Sequence, residues 1–480
     1  MAETITVDYL VIGAGAMGMA FTDTLLTDTT ATVAIVDRYA QPGGHWLLSY
    51  PFVRLHQPSN FYGVNSRELG ENTIDRIGWN KGLSELATGD EVLAYYSKIM
   101  NRTFLPSGRV SYHPKHEYLG KGEFRSIVTN KIYRVGEKTR IVDATYLKVV
   151  VPSMRPPRYQ VAEGVNLVTP NDLPKISRPY GGYTVVGAGK TGIDACLWLL
   201  ANGVDPVHIS WIMPRDSWYI ERRSLQSGPE FAESAAASMA AFNESVMTAT
   251  SAEDLFLRLQ SSLQLARLDE QVLPTMFHCA TVSLAELEQI RKIMKIVRQG
   301  RVVRLSADEV TLERGTYKPV PDSLYIDCTA NGLAKIDPVP VFSGNQITLQ
   351  SVRHCQQVFS AAFIAHVEAT YGNDEVKKNE LCRVIPHPDE AMDYLVVLVQ
   401  TYKNGLRWNA EPQTAAWLAQ SRLDLYRTML PQVPEDPAQA AAFYQAVREQ
   451  IEGICIKLEE LIGQLPEKDA SRAKAQLVRF

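Results

Sequence analysis

The strongest constraint on the fold is a local pattern that occurs twice in this chain. The apolar segments Tyr9–Ile12 and Tyr183–Val186 each run into a G-x-G-x-x-G turn. Each turn opens a helical stretch, Met17–Leu26 and Thr191–Leu200, and a second apolar strand pattern follows each helix. Two such βαβ units predict an α/β protein with two Rossmann-like dinucleotide-binding domains.

The first turn has the full context of a dinucleotide site. Gly13 permits the tight turn, Gly15 lets a diphosphate approach the backbone, and Gly18 lets the helix pack against the strand. Asp37 ends the next strand, where a carboxylate can accept hydrogen bonds from ribose hydroxyls. We therefore expect a bound dinucleotide; a purely structural βα turn is the alternative.

The second turn offers a similar site. Gly187, Gly189 and Gly192 repeat the spacing, and Lys190 and Thr191 lie where the helix N-terminus would meet phosphate. No acidic residue ends the following strand, which runs into Met213-Pro-Arg215-Asp216. An arginine there can pair with a 2′-phosphate, which favours NADP over NAD, although Asp216 weakens the distinction.

The segment after Asp37 points to the identity of the first nucleotide. Gly43-Gly44-His45-Trp46 is followed by Tyr50-Pro51. This arrangement resembles the FAD site of class B flavoprotein monooxygenases, the flavin-containing and Baeyer–Villiger monooxygenases. The resemblance implies FAD at the first turn, with Arg38, Gly44, His45 and Trp46 among its contacts, and NADPH at the second turn, with NADH left open.

A closing segment resembles the element with which two-dinucleotide flavoproteins return to the FAD domain. Asp327 and Gly332 match part of its Asp-x-x-x-x-Ala-Thr-Gly pattern, and Gln350 precedes a predicted helix that ends near Glu368. In such folds this helix N-terminus points at the flavin; an ordinary core helix is the alternative.

The resemblance also implies a domain organisation. We expect an FAD domain from residues 1–157 and 325–411 and an inserted NAD(P) domain over 158–324. The NAD(P) domain should carry a helical insertion at about 228–300, and a helical segment should span 412–480.

Four residues after the Gly-Gly-x-Trp element are candidate catalytic groups: Arg54, His56, Gln57 and Asn60. If the family mechanism applies, NADPH reduces the flavin, and a flavin C4a-peroxide formed with O2 oxidises a small organic substrate. Arg54 would hold the peroxy anion, His56 would supply or take a proton, and the two amides would hydrogen-bond oxygen. Taken alone, a side chain of this kind is more often structural than catalytic, and it is the clustering of the four that favours a catalytic role.

One departure keeps other activities open. The family fingerprint Phe-x-Gly-x-x-x-His should precede the second turn, but the corresponding stretch around Gly164 lacks the phenylalanine and the histidine. A flavin-dependent dehydrogenase or oxidase without a stable peroxyflavin is therefore an alternative, as is a nucleotide-binding protein without turnover.

Composition restricts the remaining classes. The net charge of −4 does not favour a nucleic-acid partner, and the apolar runs are shorter than a membrane span needs. The six cysteines include no C-x-x-C pair, which argues against a structural metal site, a redox-active dithiol and a disulfide framework. We expect a cytoplasmic enzyme with a small-molecule substrate and O2 as partners and no metal; homo-oligomerisation is left open.

Overall fold

A computed structural model of the chain describes residues 2–330, 332–428 and 433–478. The helices in this part of the chain are α1 (Ala16–Asp28), α2 (Gly89–Ile99), α3 (Lys190–Ala201), α4 (Ala232–Thr248), α5 (Ala252–Ser261), α6 (Leu284–Ile290), α7 (Gln357–Tyr371), α8 (Glu375–Leu381), α9 (Asp393–Ala410), α10 (Pro412–Gln420), α11 (Pro437–Gly463) and α12 (Glu467–Val478). Within these residues, no helix is both long enough and apolar enough to span a bilayer.

The strands of the same residues are short and fall into five sheets. In chain order they are β1 (Glu3–Ile5), β2 (Tyr9–Ile12), β3 (Val33–Asp37), β4 (Val110–Pro114), β5 (His116–Gly120), β6 (Glu123–Ser126), β7 (Ile132–Val135), β8 (Arg140–Asp143), β9 (Gln160–Val161), β10 (Asn166–Val168), β11 (Gly182–Val186), β12 (Ile209–Ile212), β13 (Ser217–Glu221), β14 (Leu265–Ala266), β15 (Met276–Val282), β16 (Lys295–Val297), β17 (Val302–Leu305), β18 (Val310–Leu312), β19 (Gly315–Tyr317), β20 (Ser323–Asp327), β21 (Phe342–Ser343) and β22 (Gln346–Thr348).

The first major sheet combines the start of the chain with a much later segment. Its order is β21-β22-β8-β2-β3-β4, and every pairing except β21 with β22 is parallel. All five residues of β3 are buried, as expected for a central parallel strand covered on both faces. Helices α1 and α7 pack against each other in the core beside this sheet. The return of the chain to this sheet at β22 is therefore a feature of the fold.

The second major sheet is entirely parallel, in the order β10-β20-β11-β12-β16. Its central strands β11, β12 and β20 are wholly buried. Helix α3 follows β11 and packs on the sheet through Ile193 and Leu197. Each predicted strand–glycine–helix unit thus forms the centre of its own sheet.

The segment 228–300, for which we predicted a helical insertion, is only partly helical. It contains α4, α5 and α6, but also the buried strand β15, which pairs in parallel with β13. The Met276–Val282 run is apolar and β-branched at its end, and a partner strand distant in sequence decides its conformation. Helices α9 and α11 join α5 and β15 in a separate hydrophobic core.

Local contacts explain how α2 begins, and α7 corresponds to a helix that the sequence predicts. Thr88 caps α2 by accepting a hydrogen bond from the Glu91 N–H, and the Glu91 carboxylate accepts one from the Thr88 N–H. The helix expected to end near Glu368 is α7, which continues to Tyr371. In the predicted C-terminal helical segment, residues 429–432 and 479–480 lie outside the described residues.

Candidate active site

One large cleft lies at the carboxyl ends of the parallel strands of both major sheets. It encloses about 1090 Å³, and its walls include the turns after β2, β3, β8 and β11. Open α/β sheets bind ligands at this edge. The predicted site residues that line it are Gly13, Gly15, Asp37, Arg38, Gly44, His45, Trp46, Arg54, His56, Gln57, Gly189, Lys190, Thr191 and Gly332.

In each of the two glycine turns, the helix begins very close to the strand that precedes it. A Cβ atom on Gly18 would lie 2.0 Å from the carbonyl oxygen of Gly13, and one on Gly192 would lie 2.2 Å from that of Gly187. Both distances are far inside van der Waals contact, so only glycine lets α1 and α3 begin this close to their strands. Gly18, Gly187 and Gly192 therefore lie behind the cleft wall and set its shape.

Asp37 lines the cleft at the end of β3 and is only 4% exposed. Its Oδ2 accepts a hydrogen bond from the Ala14 N–H at 2.6 Å, and its Oδ1 accepts one from the Tyr39 N–H at 2.7 Å. Burial raises the pKa of Asp37, and the two N–H groups act in the opposite direction. Each carboxylate oxygen has a second lone pair, so both can still accept a ribose hydroxyl.

Three positively charged side chains on the cleft wall have no salt-bridge partner among the described residues, although the charge of Arg38 also acts on Asp37. Arg38, Arg54 and Lys148 line the cleft, and none of them forms an ion pair with another described residue. A concave site with an excess of one charge sign attracts ligands of the opposite sign. The electrostatics of the cleft therefore favour an anionic ligand such as a dinucleotide.

Hydrogen bonds connect the start of α3, after the second glycine turn, to the segment that follows the Gly-Gly-x-Trp element. The Lys190 ammonium pairs with Asp194 one turn further along α3. The Tyr50 hydroxyl donates a hydrogen bond to the other Asp194 oxygen at 2.6 Å. Burial, followed by the nearby Asp194 charge, raises the pKa of Tyr50, so Tyr50 is a protonated donor at neutral pH. A phosphate that contacts Lys190 would compete with Asp194.

An aromatic wall follows the glycine pair of the same segment. The Trp46 indole N–H donates a hydrogen bond to the Tyr62 hydroxyl at 2.7 Å, and the His45 ring stacks on Trp46 with centroids 5.4 Å apart. Burial lowers the pKa of His45 to about 4, so its ring is neutral at pH 7. Fixed, uncharged rings of this kind suit a planar ligand.

His56 has a defined tautomer. The Thr281 N–H points to its Nδ1 at 3.2 Å, which leaves the proton on Nε2. Burial lowers the pKa of His56 to about 3, and two nearby cations act in the same direction. The neutral ring is therefore a hydrogen-bond donor at pH 7, and the expectation that His56 supplies or takes a proton stays a prediction.

Comparison with known proteins places the chain in a family. No family model matches it. The uncharacterised proteins Rv2000 and MT2056 of Mycobacterium tuberculosis and Mb2023 of Mycobacterium bovis are each 53% identical to it over 436 residues, which cover 91% of this chain and 81% of theirs. The chain belongs to the family of these mycobacterial proteins.

Solved structures of similar fold are flavin monooxygenases. The closed crystal structure of cyclohexanone monooxygenase matches with a TM-score of 0.50 at 14% identity, over 94% of this chain and 99% of that one. A cyclohexanone monooxygenase from Rhodococcus sp. Phi1 bound to NADP+ has a TM-score of 0.46 at 14% identity, over 77% and 84% of the two chains. The first match shows a class B flavoprotein monooxygenase-like fold, as the sequence predicted.

Besides Gly18, Gly187 and Gly192, four predicted site residues do not line the cleft: Asn60, Arg215, Asp327 and Gln350. Asp327 Oδ1 accepts hydrogen bonds from the backbone and hydroxyl of Thr329, at 3.0 and 2.6 Å. The Gln350 amide is satisfied by the backbone of Val339, at 2.8 and 3.2 Å. These contacts stabilise local structure, and no ligand is needed to explain them.

The guanidinium of Arg215, the residue on which the preference for NADP rested, forms ion pairs with two carboxylates of the protein. Its two terminal nitrogens donate to Asp389 and Glu390, each at 2.8 Å. Asp389 also pairs with His278 at 2.7 Å and with Lys335 at 2.5 Å. Burial acts to raise the pKa of Asp389, but these donors outweigh it and hold the pKa well below its usual range. The guanidinium of Arg215 thus already has two carboxylate partners within the protein, and its contact with a nucleotide stays a prediction.

Sequence reasoning missed a cluster of cysteines and histidines on the cleft wall. The expectation that the cysteines would not pair is wrong: Cys279 and Cys355, 76 residues apart, form a disulfide. His354 Nε2 lies 3.1 Å from Cys279 Sγ, and His278 and His387 line the cleft beside the pair. No local spacing marks this cluster, because β15 and the loop before α7 meet only in the folded chain.

Proposed function

We propose that this protein is an FAD-dependent oxidoreductase that takes electrons from NADPH and oxygenates a small organic substrate. One observation carries the proposal: a single cleft joins two strand–glycine–helix units and has a buried carboxylate, Asp37, beside the first. Paired units of this kind at the carboxyl ends of two parallel sheets are suited to two dinucleotides. Residues 1–157 and 325–411 would form the FAD domain, and 158–324 the nicotinamide domain.

The residues at the first turn fit the diphosphate and ribose of FAD. A Cβ atom on Gly15 would lie 3.4 Å from the Gly44 Cα, so this glycine keeps a narrow passage open between two stretches of backbone. The N-terminus of α1 provides free N–H groups for the diphosphate. Asp37 would accept the ribose hydroxyls, and the guanidinium of Arg38, which forms no salt bridge with a described residue, would lie beside the phosphates. At the second turn, Gly189 and Thr191 would take the diphosphate of NADPH.

The catalytic roles follow from the side chains that remain on the wall. When bound, the flavin would supply hydride acceptance from the nicotinamide and activation of O2. The Trp46 and His45 rings would hold the flat ring system. The His56 Nε2–H and the Gln57 amide would donate hydrogen bonds to oxygen, and Arg54 would stabilise negative charge that develops there. The protein thus binds, orients and stabilises charge.

The test has two stages. The purified protein should be yellow, and anaerobic NADPH should bleach its flavin absorbance. Incubation with NADPH, 18O2 and a panel of cyclic ketones and organic sulfides should then give a product that carries one 18O atom. A colourless folded protein that takes up no FAD would contradict the cofactor assignment.

The second stage separates oxygenation from the alternative activities. NADPH oxidation with stoichiometric release of hydrogen peroxide, and no labelled product from either substrate class, would identify an oxidase. Full flavin loading without any NADPH or NADH oxidation would favour a nucleotide-binding protein without turnover.

A further inference from the structure

The disulfide Cys279–Cys355 lies on the wall of the cleft assigned above to the nucleotides. Both cysteines line this cleft, Cys279 from β15 and Cys355 from the loop before α7. The remaining cysteines, Cys196, Cys328, Cys382 and Cys455, are buried free thiols. A disulfide that only braces the fold has no need to border a ligand cavity, so its location requires an explanation.

The backbone is adapted locally to present both sulfurs. Trp218 pairs with Phe277 and Ile220 with Thr281, so β15 has a bulge opposite β13 centred on Cys279. Bulges re-aim side chains and occur frequently beside active sites. Cys279 itself has φ of +56°.

Cys355 adopts the same unusual conformation, with φ of +53°. Left-handed backbone is disfavoured for residues with a Cβ atom and is concentrated at functional sites. That both partners of one disulfide adopt it, on two separate segments, indicates that the fold maintains this pair at a cost.

The surroundings favour the reduced as well as the oxidised form. A disulfide sulfur has no proton, so the 3.1 Å contact is a hydrogen bond donated by His354 Nε2–H to Cys279 Sγ. The same N–H would stabilise a thiolate once the bond is broken. Burial lowers the pKa of His354 to about 3, which keeps the ring neutral with its donor in place.

The position of Cys355 also stabilises the reduced form of the pair. It directly precedes Gln356, the N-cap of α7, and residues 356–358 line the cleft, so the helix N-terminus faces the cavity. A helix N-terminus favours negative charge and stabilises a thiolate.

We propose that Cys279–Cys355 is a redox-active disulfide that accepts two electrons from reduced flavin bound in this cleft. The S–S bond breaks and two S–H bonds form. The two electrons and two protons come from fully reduced flavin, which returns to the oxidised state, and NADPH is the ultimate reductant. This step rests on the proposed function, since it requires a flavin.

The decisive experiment is an anaerobic NADPH titration of the holoprotein. Complete bleaching of the flavin should require about two equivalents of NADPH, one for the disulfide and one for the flavin. Denaturation with an alkylating reagent, followed by mass spectrometry, should show labelled cysteines rising from the four free thiols to all six, with the new labels on Cys279 and Cys355.

Two variants provide the comparison. Cys355→Ser should need about one equivalent of NADPH and gain no label on reduction, whereas Cys455→Ser, which removes a buried thiol outside the cleft, should behave like the wild type. Label counting on the wild-type protein alone decides the proposal if Cys355→Ser does not fold.

The possible failures are distinguishable. Flavin bleaching at about one equivalent with the pair still unlabelled overturns the redox role and leaves the proposed function intact. A protein that binds no flavin overturns both. One zinc ion per chain held by the two sulfurs and His354, detected by elemental analysis, overturns the redox role because the sulfurs would then be permanent metal-ligating thiolates.

Discussion

Alanine at Gly18 should release the flavin, and alanine at Gly192 should weaken only the nicotinamide nucleotide. The added Cβ atom would lie 2.0 Å from a backbone oxygen at Gly18 and 2.2 Å at Gly192. Backbone cannot rotate away as a side chain can, so each turn must open by roughly 1 Å to restore ordinary contact. The two substitutions thus cause the same damage in two different βαβ units.

The size of the effect follows from the hydrogen bonds that the opened turn loses. One backbone N–H bond to a charged phosphate contributes about 1.5–3 kcal/mol. Because every 1.4 kcal/mol changes a dissociation constant about tenfold, losing one bond weakens binding roughly ten- to hundredfold. We expect that loss for FAD in Gly18→Ala and for NADPH in Gly192→Ala.

The assay measures each nucleotide separately. FAD affinity comes from fluorescence titration of the deflavinated protein, NADPH affinity from titration of the flavin-loaded protein, and melting temperature reports the integrity of the fold. Gly453→Ala in α11 is the matched control, because its new methyl group would meet no atom within 4 Å. A Gly18→Ala protein that purifies with its full flavin complement and unchanged affinity would refute the reasoning.

Three further predictions concern charged and titratable groups. Asp37→Asn should weaken FAD binding about tenfold or more. Asp216→Asn is the control and should leave FAD binding unchanged, because the Asp216 carboxylate pairs with Arg298 away from the cleft. Equal losses of FAD affinity in the two variants would contradict the ribose contact. The pKa of His56 is about 3 when folded and about 6.5 when unfolded, so the unfolded chain binds more protons and stability falls as pH drops through this interval. The melting temperature of His56→Gln should therefore fall less than that of the wild type between about pH 7 and 5, and equal slopes would contradict the buried neutral ring. Arg215→Ala should change KM for NADPH and NADH by the same factor, because its charge is already paired; a loss confined to NADPH would restore its nucleotide role.

The parts of the fold that sequence predicts are those with local causes. The strand–turn–helix units could be recognised because a tight turn, a close helix contact and a strand-end carboxylate all fall within a short stretch that ends at Asp37. The capping box at Thr88 is likewise complete within four residues. In both cases residues close together in the sequence supply the features by which the pattern can be recognised.

The features that the sequence could not reveal are those that a distant segment decides. Arg215 follows its strand at the position expected for a 2′-phosphate ligand, but Asp389 and Glu390, more than 170 residues further on, occupy its guanidinium. Helical composition around residues 228–300 masked β15, because only its partner β13 makes it a strand. Spacing rules could not find the pair Cys279–Cys355 for the same reason.

The disulfide also bears on the predicted cytoplasmic location. In a reducing cytoplasm, disulfides that serve only stability are rare, whereas a pair that cycles between two states is compatible with that compartment. The hydrogen bond from His354 and the helix N-terminus beside Cys355 stabilise the reduced form, which a bracing disulfide does not require. Alkylation at the moment of cell lysis would therefore find both cysteines partly labelled if the pair cycles in the cytoplasm. Complete oxidation under those conditions would point instead to an oxidising compartment and a bracing role.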